Sequence, residues 1–321
     1  MMNNSLKSLC NFPPGTLIAG KWNGHVYQIV RQLGHGANGV VYLVEAGKGR
    51  AALKMSDNAA SITSEANVLK SFSKVQGSAL GPSLLDVDDW QRSGKKTSFY
   101  VMEYIKGPSL MAYMDRKGAD WLGVLMLQLL ADLESIHQMG WVFGDLKPEN
   151  LIVAGPPARI RCIDVGGTTM KGRAIKEFTE FFDRGYWGLG SRKAEESYDL
   201  FAVAMVMLNV AYPNRFQRKE GGLAQLMAYV NGSVLKRYGS VIEGALTGKY
   251  PTAGAMRLAL LGILHPEKTK SRSASQQAPS RHQAAGSRQR TQRKKGGAGE
   301  TVFILSAFSL LYFLYIYLQI L

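Results

Sequence analysis

Alternation of apolar and polar positions dominates the first third of the chain, and helical periodicity dominates most of the remainder. Residues 27–33 and 40–45 are rich in β-branched and aromatic side chains and read as two paired strands around a glycine-bearing turn. Ala51-Ala52-Leu53-Lys54 falls on the next apolar strand. From Ser61 to Phe72 the period changes, with Val68, Leu69 and Phe72 on one side of a helix. Phe99–Ile105 is an apolar strand running into a turn at Gly107. Trp121–Met139 is a strongly apolar helix whose Met and Leu stripe is core. Arg159–Ile163 reads as a short strand and Leu200–Val210 as a very apolar helix. Strands first and helices afterwards predict an α+β fold.

The pattern stops at about His265. Residues 265–300 are poor in apolar side chains and hold no Phe, Tyr or Trp. Their nine cations are Lys268, Lys270, Arg272, Arg281, Arg288, Arg290, Arg293, Lys294 and Lys295. With Glu267 and Glu300 this leaves +7 of the chain's net +15. Such a segment is expected to be disordered alone, and to bind polyanions such as DNA or anionic lipid electrostatically. Residues 301–321 then run for 21 positions without a charge. At ~1.5 Å per residue a helix of that length crosses the ~30 Å hydrocarbon core. With cations only before the span, the positive-inside rule predicts a single-pass protein of the cell membrane with its folded part in the cytoplasm. Tyr312, Tyr315 and Tyr317 suit an aromatic belt at the far interface. Cys10 and Cys162 are the only cysteines, which fits a reducing compartment without structural disulfides. No Cys/His cluster suggests zinc, and residues 1–12 lack the apolar core of a signal peptide.

The chemistry is concentrated at Phe143-Gly144-Asp145-Leu146-Lys147-Pro148-Glu149-Asn150. An Asp, a Lys two residues on and an Asn five residues on suit phosphoryl transfer from one loop: a base for the attacking hydroxyl, a cation for the γ-phosphate and a magnesium ligand. Upstream, Gly34, Gly36, Gly39 and Val41 complete a Gly-x-Gly-x-x-Gly-x-Val pattern between strands, where a dinucleotide fold would need a helix. Lys54 sits on the following strand and Glu65 on the following helix, positioned to pair. Asp164 follows an apolar strand and precedes Gly166 and Gly167, so it reads as the second magnesium ligand. Asp199, at the start of its helix, suits an N-cap.

Together these residues resemble the eukaryotic-type (Hanks-type) serine/threonine protein kinases of bacteria, over roughly residues 20–264. The architecture resembles, more narrowly, the small tail-anchored sporulation kinases of spore-forming bacilli. The resemblance implies an N-terminal extension at 1–19, an N-lobe at 20–102, a hinge at 103–107 and a C-lobe at 108–264. It implies ATP with Mg2+, replaceable by Mn2+, and protein substrates. Gly34, Gly36, Gly39, Val41, Ala52, Lys54, Glu65, Met102, Glu103, Ile105 and Ile152 would bind ATP, with Met102 as gatekeeper. Asp145 and Lys147 would be catalytic, and Asn150 and Asp164 would hold metal. Asp199 would bond the catalytic-loop backbone. Thr168, Thr169 and Thr179 would be sites of autophosphorylation, with a dimer serving phosphorylation in trans.

Three departures accompany the resemblance. Gly144 stands where the family's Arg would read a phosphorylated activation loop, so loop phosphorylation is not expected to be essential. Val165 replaces the Phe of Asp-Phe-Gly. No Ala-Pro-Glu occurs between Gly166 and Asp199, and residues 247–253 lack its Arg partner. Two other readings stand beside the leading one. Gly144-Asp145-Leu146 echoes small-molecule kinases of the aminoglycoside or choline type, which usually carry His where Lys147 stands. A pseudokinase acting as a tether is the other, although the catalytic set is complete.

Overall fold

The structure is a computed structural model that describes residues 11–36, 38–47, 49–74 and 80–265. Strands β1 (Leu17–Ala19), β2 (Val26–Gly36), β3 (Gly39–Ala46), β4 (Gly49–Ser56), β5 (Leu84–Arg92) and β6 (Lys95–Glu103) form one antiparallel sheet in the order β1-β2-β3-β4-β6-β5. One face buries Ile18, Tyr27, Ile29, Tyr42, Leu53, Trp90 and Phe99 as a closed apolar cluster. Helix α1 (Ala59–Phe72) starts at Asn58, whose side chain accepts from the backbone N–H groups of Ala60 and Ser61. It buries Ile62, Glu65, Ala66, Leu69 and Phe72, the i, i+3, i+4 stripe of a helix lying on the sheet.

The start of this lobe differs from the sequence expectation. A boundary at residue 20 leaves Ile18 outside, yet Ile18 is fully buried and β1 pairs with β2 from Leu17↔Gln28 to Ala19↔Val26. Phe12 also packs on Tyr42 and Trp90. A strand of three residues carries too little periodicity to be read from sequence.

Beyond β6 the chain is mainly helical: α2 (Leu110–Lys117), α3 (Asp120–Gln138), α4 (Arg184–Trp187), α5 (Glu196–Ala211), α6 (Leu223–Asn231), α7 (Gly239–Leu246) and α8 (Ala253–Leu264). Helix α5 buries every residue from Tyr198 to Asn209, and α3 packs against α8. Two hairpin-like pairs carry the catalytic segments at the lobe junction. One is β8 (Leu151–Ala154) with β9 (Arg159–Cys162), and the other is β7 (Trp141–Val142) with β10 (Thr169–Met170). Among the described residues no helix is long and apolar enough to cross a membrane. The expected span at 301–321 lies outside the described residues, as do Lys268, Lys270, Arg272, Arg281, Arg288, Arg290, Arg293, Lys294 and Lys295.

Candidate active site

Strands β2 and β3 meet at Gly36↔Gly39, so the glycine pattern forms the tip of a hairpin. Gly39 adopts φ +141°, and a Cβ there would lie 2.4 Å from the Met55 carbonyl oxygen. Only glycine fits that crossing. A Cβ at Gly34 or Gly36 would instead meet nothing within 4 Å, leaving open space above the site. Val41 pairs with Lys54, and Ala52 with Met102, across neighbouring strands. Ile105 is buried, and Gly107 passes so close to β8 that a Cβ would lie 2.3 Å from the Val153 oxygen and 2.8 Å from Ile152 Cγ2. Glu103 lies at the end of β6. Its carboxylate accepts from Arg161 at 2.9 and 3.1 Å, tying the hinge to β9.

Lys54 Nζ lies 2.6 Å from Glu65 Oε2 and 3.5 Å from Asp164 Oδ1. Glu65 also accepts from Tyr100 Oη at 2.8 Å and Ser61 Oγ at 3.1 Å. Burial works against the Lys54 charge, but Asp164 and Glu65 outweigh it and hold the pKa above the ordinary lysine value. The lysine is therefore a fixed cation facing the space beneath the glycine hairpin.

On the other side of that space, Asp145 is buried and Lys147 Nζ donates to its Oδ2. Thr179 Oγ1 donates to Asp145 Oδ1 at 3.2 Å, and Lys147 Nζ reaches the same hydroxyl at 3.2 Å. Asn150, in the 3-10 turn Pro148–Asn150, spends its Nδ2 on the Asp145 carbonyl at 3.1 Å. That leaves its Oδ1 as a hard oxygen donor. Asp164 is half-exposed, and Ile163 N donates to Asn150 O at 2.9 Å, which brings the two side chains to neighbouring loops. Two hard oxygens fit Mg2+ that keeps phosphate and water ligands, and among the described residues no larger His/Cys/Asp/Glu cluster forms a closed metal cage. Cys162 is a buried thiol whose pKa burial pushes well up, so it is inert.

The catalytic loop hangs from α5. Asp199 accepts from Phe143 N at 2.7 Å and Gly144 N at 2.9 Å, and from His137 Nε2 at 2.8 Å. Asp199 is not the helix cap, because α5 begins three residues earlier at Glu196. Gly144 adopts φ +85°, and a Cβ would lie 2.6 Å from the Gly167 oxygen. The absence of Arg at this position therefore has a steric cause as well as a functional consequence.

The expected phosphorylation sites are not free. Thr168 is fully buried, and Thr169 is buried in β10 with its hydroxyl donating to Gly167 O at 2.9 Å. Both follow a Gly-Gly pair that looks like open loop, but Thr169 pairs with Val142 across β10 and β7, and Thr168 just before it donates its N–H to Val165 O at 3.0 Å. Thr179 is engaged with Asp145 and Lys147, so it belongs to the catalytic cluster.

Several site residues carry no local sequence signal. Glu177 accepts from Asn38 at the glycine hairpin, and burial with nearby Asp164 raises its pKa. Lys176 Nζ lies 3.3 Å from Ser64 Oγ on α1. Trp187 anchors the segment that lacks Ala-Pro-Glu. It is 1% exposed, donates to Phe181 O at 2.9 Å and meets Phe181, Tyr186 and Phe216 edge-on. Arg184 is held there too, by Ser191 O, Ser197 Oγ and Glu195.

Comparison with known proteins places this geometry. The protein kinase domain model matches residues 27–236. The chain is 51% identical over 333 aligned positions to the serine/threonine-protein kinase YabT of Bacillus subtilis, covering 98% of each. It is 26% identical over 175 positions to the serine/threonine-protein kinase PknG of Mycobacterium leprae, covering 49% of this chain and 21% of that one. Among solved structures, vaccinia related kinase 3 superposes with TM-score 0.58 at 17% identity, over 84% of this chain and 94% of that one.

Proposed function

The chain belongs to the protein kinase family as a serine/threonine kinase, and we propose that it is a membrane-anchored enzyme passing the ATP γ-phosphate to Ser or Thr of proteins. The observation that carries the chemistry is the triangle of Asp145, Lys147 and Thr179 opposite the Lys54–Glu65 pair. Asp145 takes the proton of the incoming hydroxyl, and Thr179 fixes the direction of its carboxylate. Lys147 steadies the γ-phosphate, while Lys54, aimed by Glu65, holds the α- and β-phosphates. Gly34, Gly36, Gly39 and Val41 cover the nucleotide; Ala52, Met102, Glu103, Ile105 and Ile152 line the adenine space. Asn150 and Asp164 hold Mg2+, or Mn2+ in its place, which neutralises phosphate charge when bound.

Residues 301–321 serve as a single-pass membrane anchor with the kinase domain on the cytoplasmic side, supported by their uncharged, mostly apolar run and the cations before it. The 265–300 linker binds DNA or anionic lipid through its nine cations and concentrates molecules for phosphorylation in trans, as transient dimers. The test is transfer from radiolabelled ATP by the full chain and by Asp145→Asn, with and without duplex DNA or anionic vesicles. Transfer that survives Asp145→Asn would sink the assignment of the base. Transfer indifferent to both polyanions would remove the linker from regulation.

A further inference from the structure

Beside the catalytic loop lies an open cleft of about 410 Å³, and among the described residues its charged side chains are Glu149 and Arg215. Glu149 sits four residues after Asp145 in the same loop, with 55% of its side chain exposed. Left alone, such a carboxylate would draw any cationic side chain that entered with the acceptor hydroxyl. It is not alone, because Arg215 Nη2 donates to Glu149 Oε1.

Arg215 is held in place by more than this pair. Its backbone lies in the left-handed region at φ +56°, one of two non-glycine residues with positive φ among those described. Side chains avoid that region unless the surroundings impose it, and such positions cluster at functional sites. The surroundings here are specific. Asn209 Nδ2 donates to Tyr212 O at 3.0 Å and Pro213 O at 3.3 Å, clamping the turn, and Asn209 Oδ1 accepts from Arg215 Nε at 3.4 Å. The guanidinium lies 4.8 Å from the Phe182 ring centroid and 5.8 Å from that of Phe181. Both rings belong to the 3-10 turn that comes after Thr179.

We propose that the Glu149–Arg215 pair sets the charge preference of the acceptor cleft: Arg215 occupies the carboxylate that would otherwise select basic substrates, so this kinase gains nothing from a Lys or Arg beside the acceptor Ser/Thr. The inference deepens the protein kinase reading and rests on it. A cationic side chain entering the cleft meets a neutralised Glu149 and the like charge of Arg215. Removing the guanidinium converts the cleft into an anionic one.

The test uses the full chain in detergent, with two peptides that share a neutral scaffold. One carries Arg on either side of the acceptor Ser and the other does not; Ser→Ala versions serve as binding probes. Arg215→Gly is the informative variant, since glycine suits φ +56° and relieves the backbone while deleting the charge. Fluorescence anisotropy with the Ser→Ala peptides reads the cleft directly. The native chain is expected to bind both within about twofold. Arg215→Gly is expected to prefer the cationic peptide by about tenfold, the scale of a single hydrogen bond to a charged group, and Arg215→Gly with Glu149→Gln to lose the preference. A native chain that already prefers the cationic peptide tenfold, or an Arg215→Gly ratio equal to the native one, overturns the proposal. Turnover of the Ser peptides, measured in parallel, separates this outcome from a failure of the kinase reading. Binding selectivity with no phosphate transfer by the native chain counts against that reading alone.

Discussion

The Thr179 hydroxyl donates to the Asp145 carboxylate across 3.2 Å, with Lys147 Nζ equally close to the Thr179 oxygen. A residue expected to receive phosphate is thereby a positioning group for the base. Thr179→Ala should lower kcat/KM by ~10–100-fold, the range for losing a hydrogen bond to a charged group. Thr179→Ser should restore most of the rate. Mass spectrometry that finds Thr179 quantitatively phosphorylated in an active chain would refute this role.

Asp145→Asn removes the base while nearly preserving shape. Its rate should fall ~10²–10⁴-fold, with a melting temperature close to native. Lys54→Met should also be inactive, and less stable, because it leaves Glu65 buried without its cation. Single-turnover assays beside calorimetry separate the two effects. Equal melting temperatures for Lys54→Met and the native chain would mean that the buried pair contributes nothing net.

Gly144 cannot accept the arginine that the family carries there. Gly144→Ala forces a Cβ into the left-handed region and to 2.6 Å from the Gly167 oxygen. A loss of about 2–4 kcal/mol is expected from strain and overlap together, and Gly144→Arg should fare no better. Urea unfolding with an unchanged midpoint for Gly144→Ala would show that the crossing relaxes.

Glu103 gives a pH signature. Hydrogen bonding to Arg161 holds its carboxyl below the ordinary glutamate value of 4.5. A depressed folded-state pKa adds stability above that ordinary value, and the contribution vanishes as pH falls through the lowered one. Partial exposure of the side chain keeps the effect under ~1 kcal/mol. Glu103→Gln should therefore be slightly less stable than native at about pH 7 and equal to it near about pH 3. A gap independent of pH would remove the ion pair as its source.

Lys54, Glu65, Asp145, Lys147, Asn150 and Asp164 were legible in sequence because each sits at a strand end, on a helix or in a loop whose chemistry its neighbours declare. His137, Glu177, Trp187 and Arg215 were not. Their partners lie 62, 139, 6 and 66 residues away, and apart from Trp187 no local window holds both halves of the contact. The burial of Thr168 and Thr169 was not legible for a related reason: Thr169 opens a two-residue strand with Thr168 just before it, and two residues have no period to read. Individual strands and helices could be read from the hydrophobic period, and the two-lobe plan from the resemblance to protein kinases, whereas β1 was too short to announce itself.

The suspension of Phe143 and Gly144 from Asp199 sets how the enzyme should fail on heating. Asp199 is fully buried and lies in a helix whose residues from Tyr198 to Asn209 are all inside. The loop that carries the base thus has no melting transition of its own. It stays in register until the interior helix gives way and is lost with it. Activity should persist almost to the unfolding midpoint and then vanish over the same few degrees, so that residual turnover becomes a direct reading of the folded fraction of the helical lobe.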